Sequence, residues 1–173
     1  HSGVGAVLRH QLVVCADTDC LSALKHDDLV VMDDYAHHPD EVKASLSSVM
    51  QLFTGRKVTV CFQPHLFSRT HDLVDGFAEA LALPDRTLLL PIYPARERPI
   101  PGVTSEWLLD KIRNRAIARG DNGLANELAV VAKEDLIARL QELRANGDLD
   151  VVVMMGAGVD IERLVKPAAE ALA

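Results

Sequence analysis

Short, continuous apolar runs alternate along this chain with longer segments in which apolar positions recur at helical spacing. Val30-Val-Met32, Lys57-Val-Thr-Val-Cys-Phe62, Thr87-Leu-Leu-Leu90, Leu128-Ala-Val-Val131 and Asp150-Val-Val-Val-Met-Met155 are the continuous runs. They are rich in branched side chains and do not alternate apolar with polar, which is the pattern of strands covered on both faces. The helical stripes lie between and around them: Val42, Leu46, Val49, Met50 and Phe53; Leu73, Phe77 and Leu81; Leu108, Ile112 and Ala116; Leu136, Ile137, Leu140 and Leu143. Pro39 suits the first position of one helix, Thr104 or Ser105 caps another, and Gly55, Gly120 and Gly147 fall just past expected helix ends. A last helix, about Asp160 to Ala171, follows the turn Gly156-Ala-Gly158.

Strands that alternate with helices predict a Rossmann-like α/β fold: a three-layer sandwich, with a mainly parallel sheet, right-handed crossovers and helices on both faces. Residues 1–29 fit this rhythm least. There Val7 to Val14 reads as one additional strand, antiparallel at an edge, and Asp17 to Asp28 as a loop or short helical turn. No repeat and no Pro-, Gly- or Ser-rich linker divides the chain, so one domain over residues 1–173 is expected.

Charge narrows the function. The net charge is -7 and the basic residues are scattered, so the cationic stripe that holds a phosphate backbone is missing and nucleic acid is not an expected partner. No apolar run is long enough to cross a bilayer, and no signal-type segment opens the chain, so neither a membrane nor export is expected and the cytoplasm is the expected location. Cys15, Cys20 and Cys61 match no common zinc or redox spacing and read as reduced, structural thiols.

The unusual chemistry lies at strand ends, where ligands bind in an open parallel sheet. Asp33 to His38 follows the first parallel strand, Gln63 to Arg69 the second, Tyr93 to Pro99 the third and Gly156 to Gly158 the last. Singly, each has a plain structural reading. Paired aspartates cap helices, histidines before a proline occupy turns, Arg69 near a helix start forms a salt bridge, and a glycine pair permits a tight turn. Structural need alone does not gather Asp, His, Tyr, Gln, Arg and Gly on one rim, so a binding site is expected there. Carboxylates in it suit ribose hydroxyls or a hydrated cation, and Arg and His suit phosphate or a carboxylate.

Asp33-Asp-Tyr-Ala-His-His-Pro39, Phe62-Gln-Pro-His-Leu-Phe-Ser-Arg-Thr70, Ile92-Tyr-Pro-Ala-Arg-Glu-Arg-Pro-Ile-Pro-Gly-Val-Thr-Ser105 and Met155-Gly-Ala-Gly158 together resemble the C-terminal domain of the Mur ligases of bacterial peptidoglycan synthesis. The resemblance runs in order from about residue 30 to the end. The form of the second motif resembles the alanine-adding branch rather than the ligase that recycles a murein tripeptide. Family members combine a UDP-sugar domain, a central ATPase domain and a Rossmann-like C-terminal domain. This chain has no Gly-x-x-x-x-Gly-Lys-Ser/Thr segment and so resembles only the third, as part of a longer enzyme.

The resemblance implies an ATP-dependent amide ligase, using ATP and Mg2+ in the full-length enzyme, that adds L-alanine to UDP-N-acetylmuramate through an acyl phosphate. It implies that Asp34 meets the nucleotide ribose with His37 near the nucleotide, and that Tyr35, His65 and Arg69 form the alanine pocket. No residue here is assigned to catalysis alone or to a metal. Two departures stand out: Leu66 replaces the Arg that many members carry, and Val159 stands where Asp more often follows Gly-Ala-Gly. Two other classes compete. A receiver-type signalling domain needs a phosphoacceptor Asp and a Lys at later strand ends, which this chain lacks. A metal hydrolase built on Asp33, Asp34, His37 and His38 would draw all its ligands from one short segment, unlike most metal sites.

Overall fold

The structure is a computed structural model and describes residues 5–8, 11–13, 29–125 and 127–173. Strands β1 (Gly5–Leu8), β2 (Gln11–Val13), β3 (Val30–Asp34), β4 (Val58–Phe62), β5 (Arg86–Leu89), β6 (Leu128–Val130) and β7 (Val151–Met155) form one sheet in the order β2-β1-β3-β7-β4-β5-β6. The five strands from β3 to β6 in that order are parallel, and β1 joins β3 antiparallel. Helices are α1 (Pro39–Leu52), α2 (Phe67–Asp72), α3 (Val74–Leu81), α4 (Ser105–Ala118), α5 (Asn122–Ala125), α6 (Leu136–Ala145) and α7 (Val159–Leu172). This is the expected Rossmann-like α/β sandwich.

The order of the strands decides which face each helix covers. From β3 the chain steps to β4, β5 and β6 in one direction, so right-handed crossovers put α1, α3 and α4 on one face. From β6 it returns to β7, in the middle of the sheet, and the same handedness puts α6 on the other face, joined by α7. Two cores result. Met32, Val60, Phe62 and Val153 meet Leu46 of α1 and Phe77 of α3, whereas Val31, Cys61, Leu88 and Met154 meet Leu140 of α6 and Ile161 of α7. Each fully buried Leu contributes about 1.5–3 kcal/mol, so the stripe Val42, Leu46 and Val49 anchors α1 more firmly than its helix propensity does. Cys61 is wholly buried and its thiol is pushed up to about 12 by burial, which leaves it an inert apolar side chain.

Helix starts follow the local chemistry. His38 caps α1, with Nδ1 accepting the Asp40 N–H at 3.3 Å, while Glu41 reaches back to the backbone N–H groups of His37 and His38. Pro39 follows the cap. Of the two candidates for α4, Thr104 is the cap, its hydroxyl oxygen accepting the Trp107 N–H at 3.1 Å. Gly55, Gly120 and Gly147 have φ of 83, 78 and 70°, the left-handed conformation that ends a helix.

Two expectations change and a third goes untested. The single strand Val7 to Val14 is two strands, β1 and β2, paired antiparallel with Leu8 opposite Gln11. The polar Arg9, His10 and Gln11 interrupt the apolar run, which separates it into two short strands. Asp17 to Asp28 lies outside the described residues. Arg69, read as lying near a helix start, sits on a short helix of its own, α2; the stripe Leu73, Phe77 and Leu81 begins only where α2 breaks, at Leu73 with φ -114° and ψ 23°.

Candidate functional site

At their carboxyl ends the central strands are level: Asp34 lies opposite Met155, Met155 opposite Phe62 and Phe62 opposite Leu89. From there β3 and β4 send their chains to one face, while β7, between them, sends its chain to the other. The backbone parts on both sides of β7, which opens the crevice typical of a switch in strand order. The four sequence motifs lie at or just past the carboxyl ends of β3, β4, β5 and β7.

The turn after β3 is tightly organised. Asp34 is buried; one carboxylate oxygen accepts the Ala36 N–H at 2.9 Å and the other accepts the Ser45 hydroxyl of α1. Tyr35 is 60% exposed and its ring stands edge-on to His37 at 5.4 Å. His37 Nδ1 lies 3.0 Å from the Tyr35 carbonyl, which can only accept, so this nitrogen carries a proton and donates it. In neutral His37 the lone pair is therefore on Nε2. Glu41 is held below the usual carboxylate range, first by the His37 N–H.

Across the crevice, the segment between β4 and α2 carries the second group. His65 bridges to Tyr93 in a parallel extension of the sheet, and their rings stack with centroids 5.5 Å apart. Arg69, one helical turn on, donates from Nη1 to His65 Nδ1 at 3.1 Å and more weakly to the His65 carbonyl at 3.4 Å. A guanidinium can only donate, so His65 is neutral with its proton on Nε2. Burial, then the charge of Arg69, then His37 push the His65 pKa down, in agreement with a neutral ring. Among the described residues no carboxylate lies within 4.0 Å of Arg69, so the salt-bridge reading has no partner to support it. Leu66, between these groups, has φ 74°, a strained backbone for a branched residue, held by bonds from its N–H to Tyr93 and to its carbonyl from Thr70.

The Gly156-Ala-Gly158 turn answers to packing. Gly156 has φ 144°, and a Cβ there would stand 2.9 Å from the Gln63 carbonyl oxygen. Gln63 is buried, donates from Nε2 to Pro91 O and Asp160 Oδ2, each at 3.2 Å, and accepts the Ile161 N–H at 3.2 Å, so it ties the end of β4 to the start of α7. A Cβ on Gly158 would come within 2.5 Å of Gln63 Oε1 and 3.1 Å of the Tyr93 ring. Gly158→Ala is therefore expected to destabilise the protein by about 1–3 kcal/mol through overpacking, since its φ of -76° is ordinary. Urea melts of both proteins check this; an unchanged midpoint would show that Gln63 yields freely.

At this end of the sheet His65 and Arg69 are hydrogen-bonded and His37 is close enough for its charge to act on His65, while Tyr35 is exposed and Asp34 buried. Gln63, Pro91, Ile92, Lys133, Glu134 and Asp160 line a separate pocket of about 240 Å³ on the α7 side, where Lys133 pairs with Asp160 at 3.1 Å. Asp33 stood out in the sequence only as part of its motif. Its half-buried carboxyl has no hydrogen bond or ion pair among the described residues, and burial, then Asp34, then Glu162 push its pKa up. Nor was Ser45 foreseen, although a serine one turn after Val42 and next to Leu46 is a polar break in an apolar stripe.

A parallel α/β sheet with its polar groups at a switch-point crevice defines a ligand-binding domain of the Rossmann-like class. The chain belongs to the Mur ligase, glutamate ligase domain family, whose sequence profile it matches over residues 21–158. It is 49% identical over 142 residues to UDP-N-acetylmuramate–L-alanine ligase of Flavobacterium johnsoniae, and 46% over 149 residues to that of Parabacteroides distasonis. Those alignments cover 82% and 86% of this chain but 28% and 29% of the relatives, so the chain spans less than a third of their length. The UDP-N-acetylmuramate-alanine ligase of Thermotoga maritima shares the fold, with TM-score 0.57 and 22% identity over 86% of this chain and 28% of that one. So does a murein peptide ligase of Psychrobacter arcticus, with TM-score 0.55 and 22% identity over 91% of this chain and 33% of that one. Family membership removes the receiver reading. Among the described residues no helix is long and apolar enough to cross a membrane.

Proposed function

We propose that residues 1–173 form one domain, the amino-acid-binding domain of an ATP-dependent ligase that joins L-alanine to UDP-N-acetylmuramate. The observation that carries this reading is Arg69: a guanidinium in the family's second motif, hydrogen-bonded to a neutral histidine and without an acidic partner among the described residues. Such a group is suited to the carboxylate of an amino acid.

In this reading Arg69 holds the alanine carboxylate and His65 orients the guanidinium without adding a second positive charge. Tyr35 closes over the amino acid from the lip. The alanine amine is then directed at an acyl phosphate of the muramoyl carboxylate; its attack gives a tetrahedral intermediate, and collapse breaks the carbon–oxygen bond to phosphate. What this domain contributes to the step is position, which in favourable cases supplies much of a barrier reduction. Asp34 has both oxygens engaged internally, yet a carboxylate accepts up to about four hydrogen bonds, so it retains capacity for a ribose hydroxyl. His37 lies where Nε2 is available to the nucleotide. The sequence carries no Gly-x-x-x-x-Gly-Lys-Ser/Thr segment, so this reading assigns the triphosphate, and Mg2+ with it, to the rest of the enzyme.

The isolated chain is expected to release no phosphate from ATP and to add no alanine. In the full-length enzyme that carries it, phosphate release is expected to require both UDP-N-acetylmuramate and L-alanine. Turnover driven by a peptide or another amino acid in place of alanine would reject the reading.

A further inference from the structure

We infer that Glu97, in the loop after β5, is a positioning residue for the Arg69–His65 pair: its carboxylate supplies the N-terminal cap that α2 lacks and so fixes the helix that presents Arg69. The inference rests on the reading of Arg69 as the partner of the alanine carboxylate.

The first N–H groups of any helix need acceptors from outside it. In α2 the cap position is Leu66, whose side chain has no acceptor. Glu97, far along the chain, fills the gap: Oε2 accepts the Ser68 N–H at 3.1 Å and Oε1 accepts the Ser68 hydroxyl. These bonds, with contributions from the Phe67 N–H and from the charge of Arg69, which lies beyond ion-pair distance, hold the Glu97 pKa below the usual carboxylate range, so the cap is charged at neutral pH. Arg69 is the next residue after Ser68. Loss of the carboxylate frees the first turn of a helix only six residues long, and the guanidinium moves with it.

Backbone strain supports this assignment independently. Among the described residues only Leu66 and Ala95 are non-glycine residues with positive φ, at 74 and 51°. They belong to the two segments that meet here. The Leu66 N–H donates to the Tyr93 carbonyl at 2.9 Å, and Ala95 lies in the turn closed by the Glu97 N–H on Pro94 O at 2.9 Å, which aims Glu97 at α2. Strain of this kind persists where the surrounding structure over-determines a geometry, commonly at a binding site. A cap needed for stability alone could be carried by the helix itself, through a Ser, Thr or Asp in place of Leu66. Here the cap comes instead from the loop whose Tyr93 stacks on His65, so a single segment fixes both members of the pair.

Glu97→Ala in the full-length enzyme is expected to raise the Michaelis constant for L-alanine about 3- to 30-fold, the range for losing a helix cap, while those for ATP and UDP-N-acetylmuramate stay within about twofold. Glu97→Gln, which keeps an acceptor but not the charge, should lie between wild type and Glu97→Ala, and Ser68→Ala should give a smaller shift. In the isolated chain, amide exchange of Phe67, Ser68 and Arg69 should speed up by a similar factor in Glu97→Ala. An unchanged alanine constant in Glu97→Ala, where Arg69→Ala does raise it, overturns the inference and leaves the alanine pocket standing. If Arg69→Ala has no effect, the pocket reading itself fails. Equal changes for all three substrates reduce Glu97 to a stabilising residue and also overturn the inference, as does unaltered exchange at Ser68. Should Glu97→Ala not fold, Glu97→Gln and Ser68→Ala decide by the same measurements.

Discussion

Arg69→Ala in the full-length ligase is expected to weaken alanine use by roughly 30- to 1000-fold, with little change for ATP. The size follows from removing a charge-assisted, forked contact in a partly desolvated site, about 2–4 kcal/mol. Arg69 sits on α2 with Nη1 on the neutral His65 and no carboxylate within 4.0 Å among the described residues, so the substitution breaks no internal ion pair there. Leu66, one turn before Thr70 on the same segment, offers no replacement charge. Arg69→Lys should recover part of the loss, since an ammonium keeps the charge without the planar fork. Michaelis constants for alanine and ATP, with circular dichroism to confirm folding, check this. An alanine constant within about twofold of wild type would mean that Arg69 serves α2 alone.

The parallel core of the fold was legible because its strands are buried on both faces. A run such as Val151-Val-Val-Met-Met155 has no polar alternation to misread, and the stripe from Val42 to Val49 has one period. The amino-terminal hairpin was not legible as two strands, because three polar residues inside a short apolar stretch do not by themselves say whether a strand bends or continues. The start of α2 was not legible for a related reason: α2 lacks a cap in its own sequence, and Glu97 reaches its first turn by tertiary contact.

At these strand ends the sequence shows which groups are present but not their state. It could not show that Asp34 is buried under Ser45 while its neighbour Asp33 has no partner among the described residues. Consecutive residues of a strand face opposite sides of the sheet, and only the identity of the covering helices decides which side is lined with donors. Gly156 and Gly158 illustrate the same limit. A phosphate cradle and a close-packed turn call for the same residues, and the Gln63 side chain that explains Gly158 comes from another strand.

Arg86→Ala is expected to lower the stability of the protein by about 2–4 kcal/mol at neutral pH, through the opposite edge of the sheet. Arg86 opens β5 and is 1% exposed. Its Nε donates to Glu127 at 2.8 Å, and Nη1 donates to the Thr59 hydroxyl at 3.2 Å and the Asp148 carbonyl at 2.9 Å, while Nη2 meets the Asp148 carboxylate. Truncation leaves a cavity and unpairs the Thr59 oxygen and the Asp148 carbonyl. Breaking a fully buried pair costs about 3–5 kcal/mol; here the loss is smaller, because both carboxylates are partly exposed and Lys57 lies 2.8 Å from Asp148 and 3.8 Å from Glu127. Arg86→Met should fall between wild type and Arg86→Ala, since it refills the volume but not the hydrogen bonds. Acid sensitivity should also change. Asp148 is held below the ordinary carboxylate range, first by Lys57 and also by Arg86, so it contributes stability above that range and loses it as pH falls through the lowered folded value. Without Arg86 the depression shrinks, and the fall in stability below about pH 4 should be shallower than in wild type. Urea melts across this range check both claims; equal midpoints at neutral pH would mean that Lys57 alone satisfies the cluster.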